Sequence, residues 1–324
     1  MVIGSGPNGL AAAIALARAG RAVTVLEAAD TPGGAVRTQE LTLPGFRHDT
    51  FSSVYPATAA SPVFAGMPLA RFGLEWVHPA ACSAHPLPDG RALALYGDLD
   101  RTAAELDAAQ PGDGDAWRAF VSPLLDSFDA VRATMLGGFP PVVGPVKLLR
   151  SAGPMGLARF AALLPDSAAR LGRRLFDSPD ARAWLYGAAG HGDVPPTAPG
   201  SAIAVAYLNL LGHAVGWPSP RGGAQALTDA LVSYLVELGG RVRTGARVTG
   251  VEAAHGRVTG VRLADTEQVA ADTVIADVMP HALLRLAGTR FPGAHRRARA
   301  ARAASRRRSQ CRPRPAQRRP DTRR

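Results

Sequence analysis

The sequence predicts an α/β fold in which a parallel sheet is interrupted by an inserted α+β domain and followed by a disordered, basic C-terminal tail. Three observations predict it. Residues 1–37 carry a strand, a glycine turn, a small-residue helix and a second strand in succession. Residues 61–185 hold short apolar runs between Pro and Gly and then apolar residues at helical spacing. Beyond residue 293 the apolar periodicity is lost among thirteen arginines and one acid.

The first element is the run Val2-Ile3-Gly4-Ser5-Gly6-Pro7-Asn8-Gly9, which reads as a strand breaking into a glycine turn that opens a helix. Gly4 permits the tight turn, Gly6 leaves room for a pyrophosphate to approach the backbone, and Gly9 lets the helix close on the strand. The N-terminus of the helix that follows, largely alanine from Leu10 to Ala19, faces the phosphates with free N–H groups and a positive dipole end. Gly20 ends that helix, and Val23-Thr24-Val25-Leu26 is a β-branched run suited to a buried parallel strand. Glu27, eighteen residues after Gly9, stands where a carboxylate holds ribose hydroxyls. The unit reads as a Rossmann-like dinucleotide-binding domain, with Gly4, Gly6, Pro7, Asn8, Gly9 and Glu27 as its binding residues.

Six residues after Glu27 comes Gly33-Gly34, followed by Arg37, and this resembles the flavoprotein form of the fingerprint, in which a second glycine pair lies close to the flavin phosphates. That resemblance favours FAD over NAD. The charge of Glu27 also argues against a cofactor with a 2′-phosphate. Leu41 to Phe46 reads as a short strand and turn, and Gly45-Phe46-Arg47-His48-Asp49 repeats a glycine, aromatic and acid spacing. On these residues the chain resembles the phytoene dehydrogenase-related FAD-dependent oxidoreductases, relatives of carotenoid desaturases and flavin amine oxidases. The resemblance implies a flavin that takes hydride from an apolar, isoprenoid-like substrate, with an amine as the family's other option.

The inserted domain is expected over residues 62–216, its first strands within Ser61 to Tyr96. Helices are expected at Thr102–Ala109, Asp115–Val131 and Leu157–Leu175, with Trp117 as a core anchor. His191 sits in a glycine-flanked turn, where a solvated or turn-forming role outweighs a catalytic one, and no catalytic residue is assigned. Ala202 to Leu211 is an apolar helical run suited to a greasy cavity or to core packing. At Gly216 to Gly223 a proline-fixed turn precedes the helix Gln225–Leu238; the resemblance places Gly222 and Gly223 beside the flavin. After Gly239-Gly240 the chain is expected to re-enter the nucleotide domain as a strand over Arg241–Val248, Val248 matching a family position whose backbone contacts the adenine. Val251–Leu263 reads as a hairpin, and Ala271–Asp277 as the strand that rejoins the nucleotide sheet.

The predicted organisation is therefore an FAD-binding domain from residues 1–61 and 217–293, a substrate domain at 62–216, and an Arg-rich tail at 294–324. The formal net charge of +11 comes from that tail, so the folded body shows no compositional reason to seek nucleic acid. Cys82 and Cys311 form no C-x-x-C pair, which excludes a dithiol redox centre, and no histidine or cysteine cluster has metal-ligand spacing. No apolar segment approaches the roughly twenty residues of a membrane span, and no secretion signal is seen. A cytoplasmic protein is expected, peripheral membrane contact being left open. Family likeness is expected to stop near Phe291-Pro292, as in a chain truncated by a reading-frame shift and therefore a poor enzyme. An NAD-linked dehydrogenase and a non-catalytic flavin-fold protein stand as the alternatives.

Overall fold

The computed structural model describes residues 1–288 other than Phe139, Pro141 and Asp193, so the expected tail lies outside the described residues. Two compact units divide the chain: Met1–Arg37 with the residues from Thr228 onward, and Thr38–Leu227. The division falls at 37/38 and 227/228, whereas the sequence reading placed it at 61 and 217. The physical reason lies in the hairpin that starts at Thr38, which is hydrogen-bonded to Ala224 and Gln225 inside the second unit.

The first unit begins with β1 (Val2–Ile3), α1 (Pro7–Arg18) and β2 (Thr24–Leu26). Helix α1 starts at Pro7, earlier than the alanine run suggested, because proline's fixed φ and missing N–H suit the first helical position. Gly9, Leu10, Ala13, Ile14 and Ala17 are its buried residues, three or four apart, so a single face of the helix packs inward.

In the second unit β3 (Thr38–Glu40) and β4 (Arg47–Asp49) pair antiparallel, Thr38 opposite Asp49. The segment Leu41–Phe46, read from sequence as part strand, is the connecting turn. Leu41, Leu43 and Phe46 are exposed there, and Pro44 has no N–H to give a ladder. Next come α2 (Pro56–Ala60), α3 (Pro62–Ala65), β5 (Trp76–Val77), and the hairpin of β6 (Ser83–Pro86) with β7 (Ala92–Leu95). The helical layer is α4 (Leu99–Ala109), α5 (Asp113–Asp126), α6 (Phe128–Leu136), α7 (Val143–Ala162), α8 (Ala168–Leu175), α9 (Pro179–His191) and α10 (Ser201–Val215). Two expected helices are each split. Asp115–Val131 breaks at Ser127, and Leu157–Leu175 breaks before Ser167, whose side chain caps α8 by accepting from the Arg170 N–H at 3.3 Å. His191 is the last residue of α9 rather than part of a free turn. Strand β8 (Ser219–Pro220) then pairs with β5, and α11 (Gln225–Glu237) follows.

The core of the second unit centres on Trp117, fully buried as expected of an anchor. Its ring lies 5.2 Å from that of Trp184, edge to face, and 6.1 Å from that of Phe176, while its Nε1 donates to His213 Nε2 at 3.1 Å. Burial pushes the His213 imidazole below its ordinary pKa.

The chain re-enters the first unit at Thr228, within α11, and β9 (Arg241–Arg243) follows. This strand is shorter than expected because the N–H groups of Gly245 and Ala246 turn to the carbonyls of Ala29 and Glu27. Strands β10 (Val248–Ala254), β11 (Arg257–Leu263) and β12 (Gln268–Ala270) form an antiparallel meander, and the expected hairpin turns at His255-Gly256. Then β13 (Ile275–Ala276) rejoins the first sheet as expected, Val2 standing opposite Ile275, and α12 (Pro280–Ala287) follows. The sheet order is β13-β1-β2-β9 with every pair parallel, and the sheet's central residues Val2, Ile3, Val25 and Leu26 are buried.

Candidate functional site

The glycine turn lies between β1 and α1, at the carboxyl end of a parallel sheet, where open α/β folds bind ligands. Its glycines answer different demands. Gly4 has φ +97°, and a Cβ placed on it would lie 2.6 Å from the Asp277 carbonyl oxygen. A Cβ on Gly9 would lie 2.3 Å from the Gly4 carbonyl oxygen, so the helix can close on the strand only with glycine there. Gly6 is extended, at φ −61° and ψ 167°, which any residue adopts. Its Cβ direction meets only Asp277 Oδ2, at 3.1 Å. Gly34 backs onto it: at φ +59°, its own Cβ would fall 3.2 Å from the Gly6 Cα. Gly6 and Gly34 thus bring bare backbone together at the N-terminus of α1, whose N-cap has no side-chain bond.

Beside this backbone Glu27, at the end of β2, is half-buried and bonded on both oxygens. Oε2 accepts from the Ser5 N–H at 2.9 Å and from the Ser5 hydroxyl at 2.6 Å, and Oε1 accepts from the Ala29 N–H at 2.9 Å. Burial works to raise its pKa, but the Ser5 hydroxyl and the N–H groups of Ala29, Ser5 and Ala28 outweigh it and hold the carboxyl below its ordinary value. These donors fill about the four acceptor positions a carboxylate has, so a ligand hydroxyl would have to share an oxygen with one of them. Ser5 also accepts from the Gly33 N–H at 3.1 Å, tying the Gly33-Gly34 loop to the turn. Gly33 is itself hemmed by the Val36 carbonyl and the Thr228 hydroxyl, 2.5 and 2.9 Å from its Cβ position, with the stem of Arg37 alongside.

The structure therefore brings Gly4, Gly6, Gly9, Glu27, Gly33 and Gly34 together around one turn, with Pro7 and the exposed Asn8 opening α1 and Arg37 packed beside Gly33. Val248 starts β10 and packs on the cluster of Ile3, Leu26, Ala246, Val261 and Leu263. Gly222 and Gly223 belong to the second unit. There Thr38 Oγ1 and Asp49 Oδ1 crowd the Gly223 Cβ position at 2.5 and 2.9 Å. Asp49 accepts from the Ala224 N–H at 2.8 Å and Thr38 accepts from the Gln225 N–H at 3.0 Å, which caps the start of α11.

Two site residues were missed by the sequence reading. Ser5, fully buried, bridges Glu27 and Gly33. Asp277, just past β13, accepts from the Gly9 N–H at 2.8 Å. A small hydroxyl residue between the first two glycines was the only signal for Ser5, and an acid ending the strand that rejoins the sheet was the signal for Asp277. Elsewhere, His191 packs beside Trp217 with ring centroids 5.6 Å apart and the rings tilted by 40°. Among the described residues no group of three or more His, Cys, Asp or Glu could hold a metal ion, and no helix is long and apolar enough to cross a membrane. The second unit contains a cavity of about 950 Å³ whose lining includes Phe120, Leu124, Leu148, Phe160, Leu163 and Leu175.

The bare backbone, the helix N-terminus and the flanking carboxylate fit the diphosphate and ribose of a dinucleotide. Known proteins point the same way. The family model for flavin containing amine oxidoreductases matches residues 8–303, past the point where family likeness was expected to stop. The chain is 32% identical over 311 residues to a hydroxyneurosporene desaturase of Cereibacter sphaeroides, covering 88% of this chain and 57% of that protein. It is 30% identical over 296 residues to a phytoene dehydrogenase of Streptomyces griseus, covering 85% and 53%. The chain spans about half the length of these curated relatives. Among solved structures, an oxidoreductase from Methanosarcina mazei superposes with a TM-score of 0.61 at 18% identity, over 94% of this chain and 64% of that one. A putrescine oxidase variant from a redesign of cofactor binding gives 0.61 at 20%, over 92% and 62%. These two likenesses show the fold.

Proposed function

The chain belongs to the flavin containing amine oxidoreductase family, and from that premise we propose that its glycine turn holds FAD and that the protein oxidises an apolar, isoprenoid-like molecule. FAD, when bound, supplies a two-electron acceptor for a C–H bond held against it. This chain's residues bind and orient. In the proposal the diphosphate lies over Gly6 and Gly34, where no side chain intervenes, facing the first turn of α1 through Pro7, Asn8 and Gly9. Glu27 accepts a ribose hydroxyl at an oxygen it shares with the turn, and Ser5 keeps its carboxylate ionised and fixed. Arg37 and Val248 belong to the proposed contacts as well, at backbone or stem atoms. The single observation that carries the reading is the close approach of Gly34 to the Gly6 backbone, since Gly6 has a conformation open to any residue and yet carries no side chain.

For the substrate, the support is the names of the relatives, which are a hydroxyneurosporene desaturase and a phytoene dehydrogenase, together with the mostly apolar lining of the cavity in the second unit, which Arg159, Asp166 and Arg170 also border. The test is to identify the nucleotide released from the purified chain by heat, using chromatography and absorption. FAD is the expected product. Release of a nicotinamide nucleotide, or failure of the folded chain to take up added FAD, would overturn the reading.

A further inference from the structure

At the end of β13, Asp277 grips the glycine turn in three ways. Its N–H donates to the Ile3 carbonyl at 2.8 Å, its own carbonyl oxygen lies against Gly4, and its Oδ2 accepts from the Gly9 N–H at 2.8 Å. The same Oδ2 lies 3.1 Å from the Cβ positions of both Gly6 and Gly9, so it sits against the glycine turn itself. Helix α1 has no acid in its own first turn and no side-chain cap, and Pro7 contributes no N–H. A residue 268 positions away supplies the anion that the N-terminus of α1 favours. Any diphosphate seated over Gly6 meets that carboxylate at short range, and like charges this close oppose each other strongly until salt screens them.

We propose that Asp277 is a positioning residue that holds the turn through Gly9 and, in doing so, places a negative charge of the protein's own against the cofactor's diphosphate, weakening its binding. The proposal rests on the dinucleotide reading of the site. Its consequence is that acceptor and charge can be separated. Asparagine keeps an oxygen for Gly9 and removes the charge, whereas alanine removes both.

The experiment titrates FAD into the wild-type chain, Asp277→Asn and Asp277→Ala at low and high salt, following flavin fluorescence, with circular dichroism as the check on folding. Asp277→Asn is expected to bind FAD about five- to tenfold tighter than wild type at low salt, the ratio falling towards one near 0.5 M salt. Asp277→Ala is expected to bind more weakly than Asp277→Asn. Equal or weaker binding by folded Asp277→Asn at low salt would overturn the proposal, while leaving the FAD site intact if wild type binds. A folded wild type that takes up no FAD would overturn both. Should the variants fail to fold, the wild type still decides with ADP and adenosine. The preference for ADP over adenosine is expected to grow with salt, and a preference that falls with salt contradicts the proposal.

Discussion

The turn at Gly4–Gly9 and the turn at Gly222–Gly223 look alike in sequence, yet they need their glycines for different reasons. At Gly223 the space for a side chain is occupied by the chain itself: Thr38 Oγ1 and Asp49 Oδ1 sit 2.5 and 2.9 Å from the Cβ position, at φ +96°. Both groups are engaged in capping α11. At Gly6 the backbone is unstrained and, among the described residues, only the tip of the Asp277 carboxylate lies near the Cβ position, so the protein itself makes a far weaker demand for glycine. A glycine motif thus reports either internal crowding or room left for something else. The distinction lies in the neighbours of the missing Cβ and not in the spacing of the glycines.

The largest effect expected from that contrast is at the crowded turn. Gly223→Val should cost about 3 kcal/mol or more, combining a positive φ with overlap onto two polar groups that cap a helix. Urea unfolding measures it, and a loss under about 1 kcal/mol would show that Thr38 and Asp49 yield easily.

A smaller effect concerns Glu27, which links the open turn to the Gly33 loop through Ser5. Because the fold holds this carboxyl below its ordinary 4.5, the unfolded chain binds more protons in the window between the folded value and 4.5. Stability is therefore expected to be fully present above that window and to fall as pH drops through it. Glu27→Gln should flatten this slope. Urea midpoints between about pH 3 and pH 5 check it, and identical slopes in both proteins would remove Glu27 from the account.

Much of the first unit was legible because its signals are local: a glycine turn, an alanine-rich helix, β-branched strands and an acid at the end of the second one. The return of Ile275–Ala276 to β1 was legible from its β-branched run. Asp277 was not, since its role depends on a hydrogen bond to Gly9 across 268 residues that no local pattern encodes. Ser5 escaped for a related reason, because a hydroxyl between two glycines acquires meaning only when Glu27 and Gly33 are placed around it. In the second unit the periodicity found the helices but ran through their breaks at Ser127 and before Ser167, where side-chain capping and backbone turning interrupt an otherwise apolar pattern. Leu41 and Leu43 suggested a strand by alternation, yet no core is there to bury them.

The central claim is that Gly6 is kept bare for a cofactor and not for the fold, and Gly6→Val tests it most directly. The extended backbone suits valine, and its Cβ needs the Asp277 carboxylate to give by a few tenths of an ångström. The measurement is FAD affinity by fluorescence titration, set beside the thermal midpoint of the same protein. The account predicts a midpoint close to wild type and FAD binding weakened at least about a hundredfold, as a branched side chain fills the space of the diphosphate. A folded Gly6→Val chain that binds FAD as tightly as wild type would contradict it.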